Sequence, residues 1–425
     1  MEAWISLIIL VLVIVLFITR IIPSPVTAVL GCLLFALTGV CSLDAAFSGF
    51  SNSTVLLMFG MMVVGIAMMD TGAAKLLGKF VSKVAGGNEK IFILLAGLAS
   101  IILSTFLSNT AVISIFLPII ASVAQSNENM SRKNLTLAVT LGAMFGGVCT
   151  LVGSTPQLTA NGILSEMTGQ ELGMFDFLLP GIILCAIYLI YSLTIGYKLG
   201  NKIWGQDIKE EVSVNKEEKI VSNEITINKT KIIIMMSILV ITIVLFIGGW
   251  ISTAMTAIIA ALLCIISGCT SYKSVVKNMD WSVVFILAGC LGIASGLTKG
   301  GASDLFSQGL KTVLSPDISP LIVFGIFVLA TMLISNFITN STAVVIVLPI
   351  ALAYCTTFGI NALAFALGIV YAANLTFSTP LANAQTAMTL VAGYKFSDYI
   401  KYTWILDILI FIAILFVVPL FFPLV

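Results

Sequence analysis

Apolar runs recur along the chain at about 4–22, 25–41, 54–70, 91–124, 135–164, 176–199, 231–250, 253–268, 282–297, 319–356, 361–391 and 402–424. Runs this long and this poor in charge predict transmembrane helices rather than barrel strands. The stretch 201–230 breaks the pattern. It is crowded with charged residues from Lys202 to Lys229 and reads as a solvated cytoplasmic linker between two halves, 1–200 and 231–425.

Two of the runs, 91–124 and 319–356, are too long for one straight span at ~1.5 Å per residue. Each carries a polar tripeptide near its middle. Ser108-Asn109-Thr110 precedes Leu117-Pro118-Ile119, and Thr339-Asn340-Ser341 precedes Leu348-Pro349-Ile350. Hydroxyl and amide side chains at the bilayer centre favour a turn, and they are costly unless they line a cavity or bind a ligand. Each run is therefore expected to be a re-entrant helical hairpin with the tripeptide at its tip. The runs 135–164 and 361–391 are interrupted by Ser154-Thr155-Pro156 and Ser378-Thr379-Pro380. Proline removes a backbone donor and disfavours helix at the residue before it, so both are expected to be broken helices.

These features are paired across the linker. Asn109 and Asn340 differ by 340 − 109 = 231 positions, as do Pro118 and Pro349. Thr27-Ala28 matches Thr256-Ala257, Gly39 matches Gly268, and Gly72-Ala73 matches Gly301-Ala302, each at an offset of 229. The Ser-Thr-Pro breaks follow at 224. Matches in one order at a nearly constant offset indicate an internal repeat. The expected fold is an all-α polytopic membrane protein. It has two inverted repeats of five transmembrane helices, each with a re-entrant helical hairpin and a broken helix.

An odd number of spans inverts the second repeat, and the basic residues test this. With the N-terminus outside, only Lys299 and Lys311 of the 20 basic residues fall outside, which leaves 20 − 2 = 18 inside. Outer loops then carry Asp44, Glu166, Glu171, Asp176, Asp304 and Asp317. Both termini are expected to be extracytoplasmic in a multi-pass protein of the cell (inner) membrane. The first hairpin enters from the cytoplasm, the second from outside, and their tips meet near the midplane. Lys75, Lys79 and Lys83 lie four apart within 72–87, which predicts an interfacial amphipathic helix, with 301–314 as its outer counterpart. Residues 4–19 read as the first span and not as a removed signal, because no basic segment precedes them.

Composition agrees with a membrane protein. Hydrophobic residues make up 59% of the 425 and charged residues 9%, with a mean hydropathy of +1.15, whereas a soluble domain has about a quarter charged. There is no histidine, so histidine proton relays and histidine metal sites are excluded. The eight cysteines show no CxxC spacing and read as small buried hydrophobes. Without histidine or paired intramembrane carboxylates the chain offers no nucleophile–base pair and no metal cluster, so it is not expected to be an enzyme. No nucleic-acid partner is expected; the partners are the lipid bilayer and a small ligand.

The repeated motifs supply hydroxyls, amides, freed carbonyls and helix N-termini, and no arginine. Asp70 and Asp407 read as lying near span ends, away from the motifs, so the site is expected to be formally neutral. Carbonyl, Ser, Thr and Asn oxygens suit Na⁺, while helix N-termini suit an anion. A neutral site holding both would let the cations offset the anion, and coupling follows from that reciprocity. Ser-Asn-Thr ahead of Ala-Val is also a good helix cap with no ligand at all.

On these motifs the chain resembles the divalent anion–sodium symporter family of dicarboxylate, citrate and sulfate carriers, within the ion-transporter superfamily. That family carries a Ser-Asn-Thr in each hairpin and a Thr-Pro-Pro-Asn-like break after each. Here the first tripeptide is intact at 108–110, and the second is altered to Thr339-Asn340-Ser341. The breaks, Gly153-Ser154-Thr155-Pro156-Gln157 and Ser378-Thr379-Pro380-Leu381-Ala382-Asn383, lack the double proline. The resemblance covers nearly the whole chain and implies roles. One Na⁺ would sit with Ser104, Ser108, Asn109 and the backbone at Gly153. A second would sit with Ser335, the backbone of Ile338, Asn340 and the backbone at Ser378. Substrate carboxylates would meet Asn109, Thr110, Asn340, Ser341, Thr379 and Pro380, with Ser154, Thr155 and Pro156 close by. The resemblance further implies a homodimer and an elevator motion of hairpins and broken helices against a fixed scaffold.

The function expected is secondary active transport: Na⁺-coupled symport of a small divalent anion, with a C4-dicarboxylate such as succinate or malate as the first choice. A dicarboxylate exchanger, a sulfate carrier and a citrate carrier are the alternatives among transporters. A channel would also use re-entrant loops, and it is separated from them by a saturable, sodium-dependent flux.

Overall fold

The computed structural model describes residues 2–19, 21–73, 81, 83–127, 130–204, 229–302, 305, 318–379 and 384–425. Most of the linker, Lys75, Lys79, nearly all of 303–317 and Pro380 lie outside the described residues. The chain is all-helical, with no strand among the described residues. The first half holds α1 (Glu2–Thr19), α2 (Ser24–Leu37), α3 (Ser53–Asp70), α4 (Glu89–Ser104), α5 (Asn109–Ser126), α6 (Arg132–Gly147), α7 (Thr155–Thr168), α8 (Leu178–Leu193) and α9 (Ile195–Trp204). The second holds α10 (Lys229–Gly248), α11 (Thr253–Ile266), α12 (Trp281–Lys299), α13 (Pro320–Ser335), α14 (Asn340–Phe358), α15 (Ala362–Asn374) and α16 (Phe396–Phe421).

Six of these, α1, α3, α10, α12, α14 and α16, are long and apolar enough to cross a membrane, and α8 with α9 makes a seventh span bent by 44°. The paired α2 and α11 depart from the expectation of full spans. Each has 14 residues, about 21 Å of helix against a hydrocarbon core of about 30 Å. Their ends explain the repeated glycines. The chain leaves α2 through Gly39 at φ 74° and α11 through Gly268 at φ 70°, a left-handed conformation that glycine adopts without a Cβ penalty.

One face of each short helix is buried at a close crossing. A Cβ on Gly60 of α3 would lie 2.5 Å from Ala257 of α11, and one on Gly289 of α12 would lie 2.6 Å from Ala28 of α2. The two crossings exchange under one offset, since 289 − 60 and 257 − 28 are both 229. Small residues at a helix crossing bring backbones together and gain dispersion contacts where lipid gives no hydrophobic driving force.

Both hairpins fold back on themselves. The Glu89 carboxylate at the start of α4 accepts from the Ser131 backbone N–H at 2.9 Å, just beyond the end of α5. In the second hairpin the rings of Phe327 and Tyr354 are 6.4 Å apart. A continuous helix would separate residues 27 positions apart by about 40 Å. The hairpin bases sit at opposite ends of α16. Ahead of α16, the Tyr394 hydroxyl donates to the Lys133 carbonyl beside the first base. After it, the Leu424 carbonyl accepts from Asn361 N–H at 2.9 Å, beside the second base. With 26 residues, α16 is about 39 Å long and spans the bilayer between them.

Candidate substrate and cation site

Three helices begin at one cavity. Ser108 caps α5 by accepting from Ala111 N–H at 3.4 Å, and Thr339 caps α14 by accepting from Thr342 N–H at 3.4 Å. The third, α7, starts at Thr155 with Pro156 in its first turn, where a missing N–H costs nothing. The cavity has a volume of about 770 Å³. Ser108, Asn109, Thr110, Gly153, Ser154, Thr155, Pro156, Asn340 and Ser341 all line it. The structure therefore brings together both hairpin tips and the first break. Among the described residues, no lysine or arginine lines the cavity, and the partial positive charge there comes from helix ends.

Ser104, Ser335, Ile338, Ser378 and Thr379 lie behind the cavity wall. Ser104 Oγ donates to Asn109 Oδ1 at 2.5 Å, and Ser335 Oγ contacts Asn340 Oδ1 at 3.0 Å. The two pairs are related by the same offset of 231. Both serines are fully buried. The Ser335 hydroxyl also lies 2.7 Å from the Ala373 carbonyl at the end of α15. Each tip asparagine is thus seated on a serine at the C-terminal end of the hairpin's first helix, where freed carbonyls gather. Thr379 Oγ1 donates to the Asn336 carbonyl, so its hydroxyl pins the second break to the second hairpin.

The halves are bonded to each other here. Ser341 Oγ lies 3.0 Å from Thr155 Oγ1. Ser154 Oγ sits between Gln157 Oε1 and Asn374 Oδ1, the latter at 2.8 Å, and Asn374 Nδ2 donates to Gln157 Oε1 at 3.2 Å. Gln157 Nε2 in turn donates to the Gly147 carbonyl at 2.6 Å. Asn374 and Gln157 were not among the expected site residues. A single Asn closing an apolar run and a Gln one residue past a proline carry no repeat signal.

The expectation that both aspartates stand away from the motifs is overturned. Asp70 closes α3 at a span end, as expected, but lines the cavity together with the hairpin tips. Asp407 does not lie near a span end: α16 begins at Phe396, so Asp407 is 11 residues from its start and 14 from its end. Nor is it away from the motifs, because its Oδ2 accepts from Ser378 Oγ of the second break. The second break therefore has a carboxylate against it, and the region is not formally neutral. The error came from the charged start of α16, where Lys395, Asp398 and Lys401 hide the first turns of a long helix.

The sequence profile of the citrate transporter family, CitMHS, matches residues 14–336. The chain belongs to this family. It is a multi-pass membrane transporter and not an enzyme, and the superfamily read from its motifs is the right one. It is similar to an uncharacterized transporter of Haemophilus influenzae, 24% identical over 94% of this chain and 88% of the relative. It is also similar to the sodium-dependent dicarboxylate transporter SdcS of Staphylococcus saprophyticus, 23% identical over 88% of this chain and 78% of that protein. Among solved structures, the YdaH transporter of Alcanivorax borkumensis has the same fold. Its TM-score is 0.66 at 12% identity, with 91% of this chain and 87% of that one covered.

Proposed function

We propose that this citrate-family transporter carries out Na⁺-coupled symport of a small divalent anion, most simply a C4-dicarboxylate, between two inverted repeats. The observation that carries this reading is the convergence of three helix N-termini, with the amides and hydroxyls of both hairpin tips and the first break, on one cavity whose only charged lining residues, among those described, are Asp70 and Asp280. Helix ends attract an anion. With no lysine or arginine beside it among the described residues, a dianion there needs cations to balance it. The helix C-termini of α4, α6, α13 and α15 lie at the same breaks and offer carbonyls to Na⁺. The proposed cation ligands are those named from the motifs, with Ser104 and Ser335 contributing beneath the asparagines and Ser108 beside the first tip. The sodium-dependent dicarboxylate transporter SdcS among the relatives supports the same choice of ion and substrate. An elevator motion, a homodimer and an inner-membrane location complete the proposal.

The test is substrate binding to detergent-purified protein, titrated with Na⁺ at fixed ionic strength with choline as the replacement ion. Raising Na⁺ is expected to tighten dicarboxylate affinity, K⁺ is not expected to substitute, and substrate should tighten Na⁺ binding by the same factor. An affinity that stays flat across the titration overturns sodium coupling and leaves an exchanger or a proton-driven carrier. Citrate and sulfate as competitors decide between the substrate classes.

Orientation follows from the charge distribution. In a cysteine-free background, a cysteine at position 168 is expected to react with an impermeant thiol reagent added outside, and one at 215 to stay unlabelled. The reverse pattern would invert the assignment of hairpins to membrane faces. All eight native cysteines are buried, which favours such a background.

A further inference from the structure

Asp407 is a carboxylate in the middle of a membrane helix, and the cavity lining does not include it. Its Oδ2 accepts from Ser378 Oγ and, at 3.4 Å, from Thr403 Oγ1 one turn earlier on α16. The two hydroxyl oxygens are 3.2 Å from each other. Its Oδ1 is sealed from solvent and has no hydrogen-bond partner among the described residues. An ionised carboxylate at this depth is costly unless a counter-charge reaches it, and two neutral hydroxyls do not cancel its charge. Its oxygens lie together with those of Ser378 and Thr403 at the unwound residues 375–379. Hard oxygen donors around a fixed negative charge beside unwound backbone suit a small monovalent cation.

We propose that Asp407, Ser378 and Thr403 hold a sodium ion between α16 and the second helix break, outside the substrate cavity. The ion neutralises the carboxylate, draws on Oδ1, and ties the break to α16. The break also carries Thr379, which holds the second hairpin through the Asn336 carbonyl. Occupancy of this site therefore bears on the geometry of the Asn340 tip without the ion touching the substrate. This inference rests on the sodium-symport reading and adds to it a site that the neutral motifs do not supply.

The experiment is the Na⁺-dependent thermal stabilisation of the purified full-length protein, with choline as replacement ion and K⁺ as control, read alongside dicarboxylate binding. For Asp407→Asn, the Na⁺ midpoint is expected to rise by about 10-fold or more, with a shallower Na⁺ dependence. Asp407→Glu should keep a Na⁺ response, and Ser378→Ala should give a smaller shift in the same direction as Asp407→Asn. If Asp407→Asn does not fold, Ser378→Ala and Thr403→Ala carry the test. A Na⁺ midpoint and steepness unchanged in the variants, in protein that still binds dicarboxylate with Na⁺, overturns the site and leaves symport standing. A wild-type protein that Na⁺ stabilises no more than K⁺ overturns both.

Discussion

Asn109→Ala and Asn340→Ala are each expected to lower proteoliposome uptake by about 100-fold or more, with folding and insertion intact. Each asparagine stands at the first position of a helix that opens on the cavity. Its Oδ1 is already engaged by a buried serine, Ser104 for one and Ser335 for the other. That bond fixes the amide plane, so the remaining N–H groups are pre-oriented and an anion meets them without reorganisation. Alanine removes the donor, while each serine keeps a backbone carbonyl to donate to, Leu107 for Ser104 and Ala373 for Ser335, so the loss falls on binding rather than on the helix pairs around it. Monodisperse elution and an unchanged melting temperature would separate this from misfolding. Wild-type rate and affinity in either variant would rule out a site made from both tips.

Gly147→Ala should be comparably severe although Gly147 offers no side chain to any ligand. A Cβ there would lie 2.2 Å from Asn109 Oδ1. The backbone is fixed too, since the Gly147 carbonyl accepts from Gln157 and lies 2.3 Å from where a Gly153 Cβ would stand. The added methyl has to push Asn109 off its serine, and with it the first tip. Transport is expected to fall by about 100-fold, with little change in expression. Gly65→Ala is the control. Gly65 lines the same cavity, but its Cβ would meet only Leu107 at an ordinary 3.6 Å, so uptake should stay within about twofold. Equal uptake by the two variants would show that Asn109 is not held where transport needs it.

The hairpins and breaks were legible because polar residues inside apolar runs have few physical explanations, and because each explanation was offered twice. The offset of 231 even pairs Ser104–Asn109 with Ser335–Asn340 as hydrogen-bonded partners, a relation that spacing alone does not reveal. What was not legible has separate causes. Cap and ligand use the same residue types, so the sequence alone does not separate the two roles at Ser108, which caps α5 in the structure, or at Thr339, which caps α14. The short α2 and α11 looked like full spans because their apolar runs were counted through Gly39 and up to Gly268, and hydropathy does not register a left-handed residue. Asn374 meets Ser154 and Gln157 across the halves, and no periodicity within a half encodes such a partner. Asp407 was placed at the wrong depth by counting from the first apolar residue instead of the first helical one.

The bonds between halves also impose an order on the protein's own making. Thr155 finds Ser341 186 positions later, and Ser154 finds Asn374 220 positions later. At a synthesis rate of about 5–20 residues per second, the wait is roughly 10–45 s. Through that interval the first break sits in the translocation machinery or the bilayer with hydroxyls and an amide oxygen that still lack their partners from the second half. Such groups are costly in hydrocarbon. The first half must therefore remain hydrated, chaperoned or loosely packed until the second half inserts. Quality control of this transporter is then a question about nascent chains, and substitutions at Ser341 or Asn374 should extend the time for which a half-built carrier is exposed to membrane proteases.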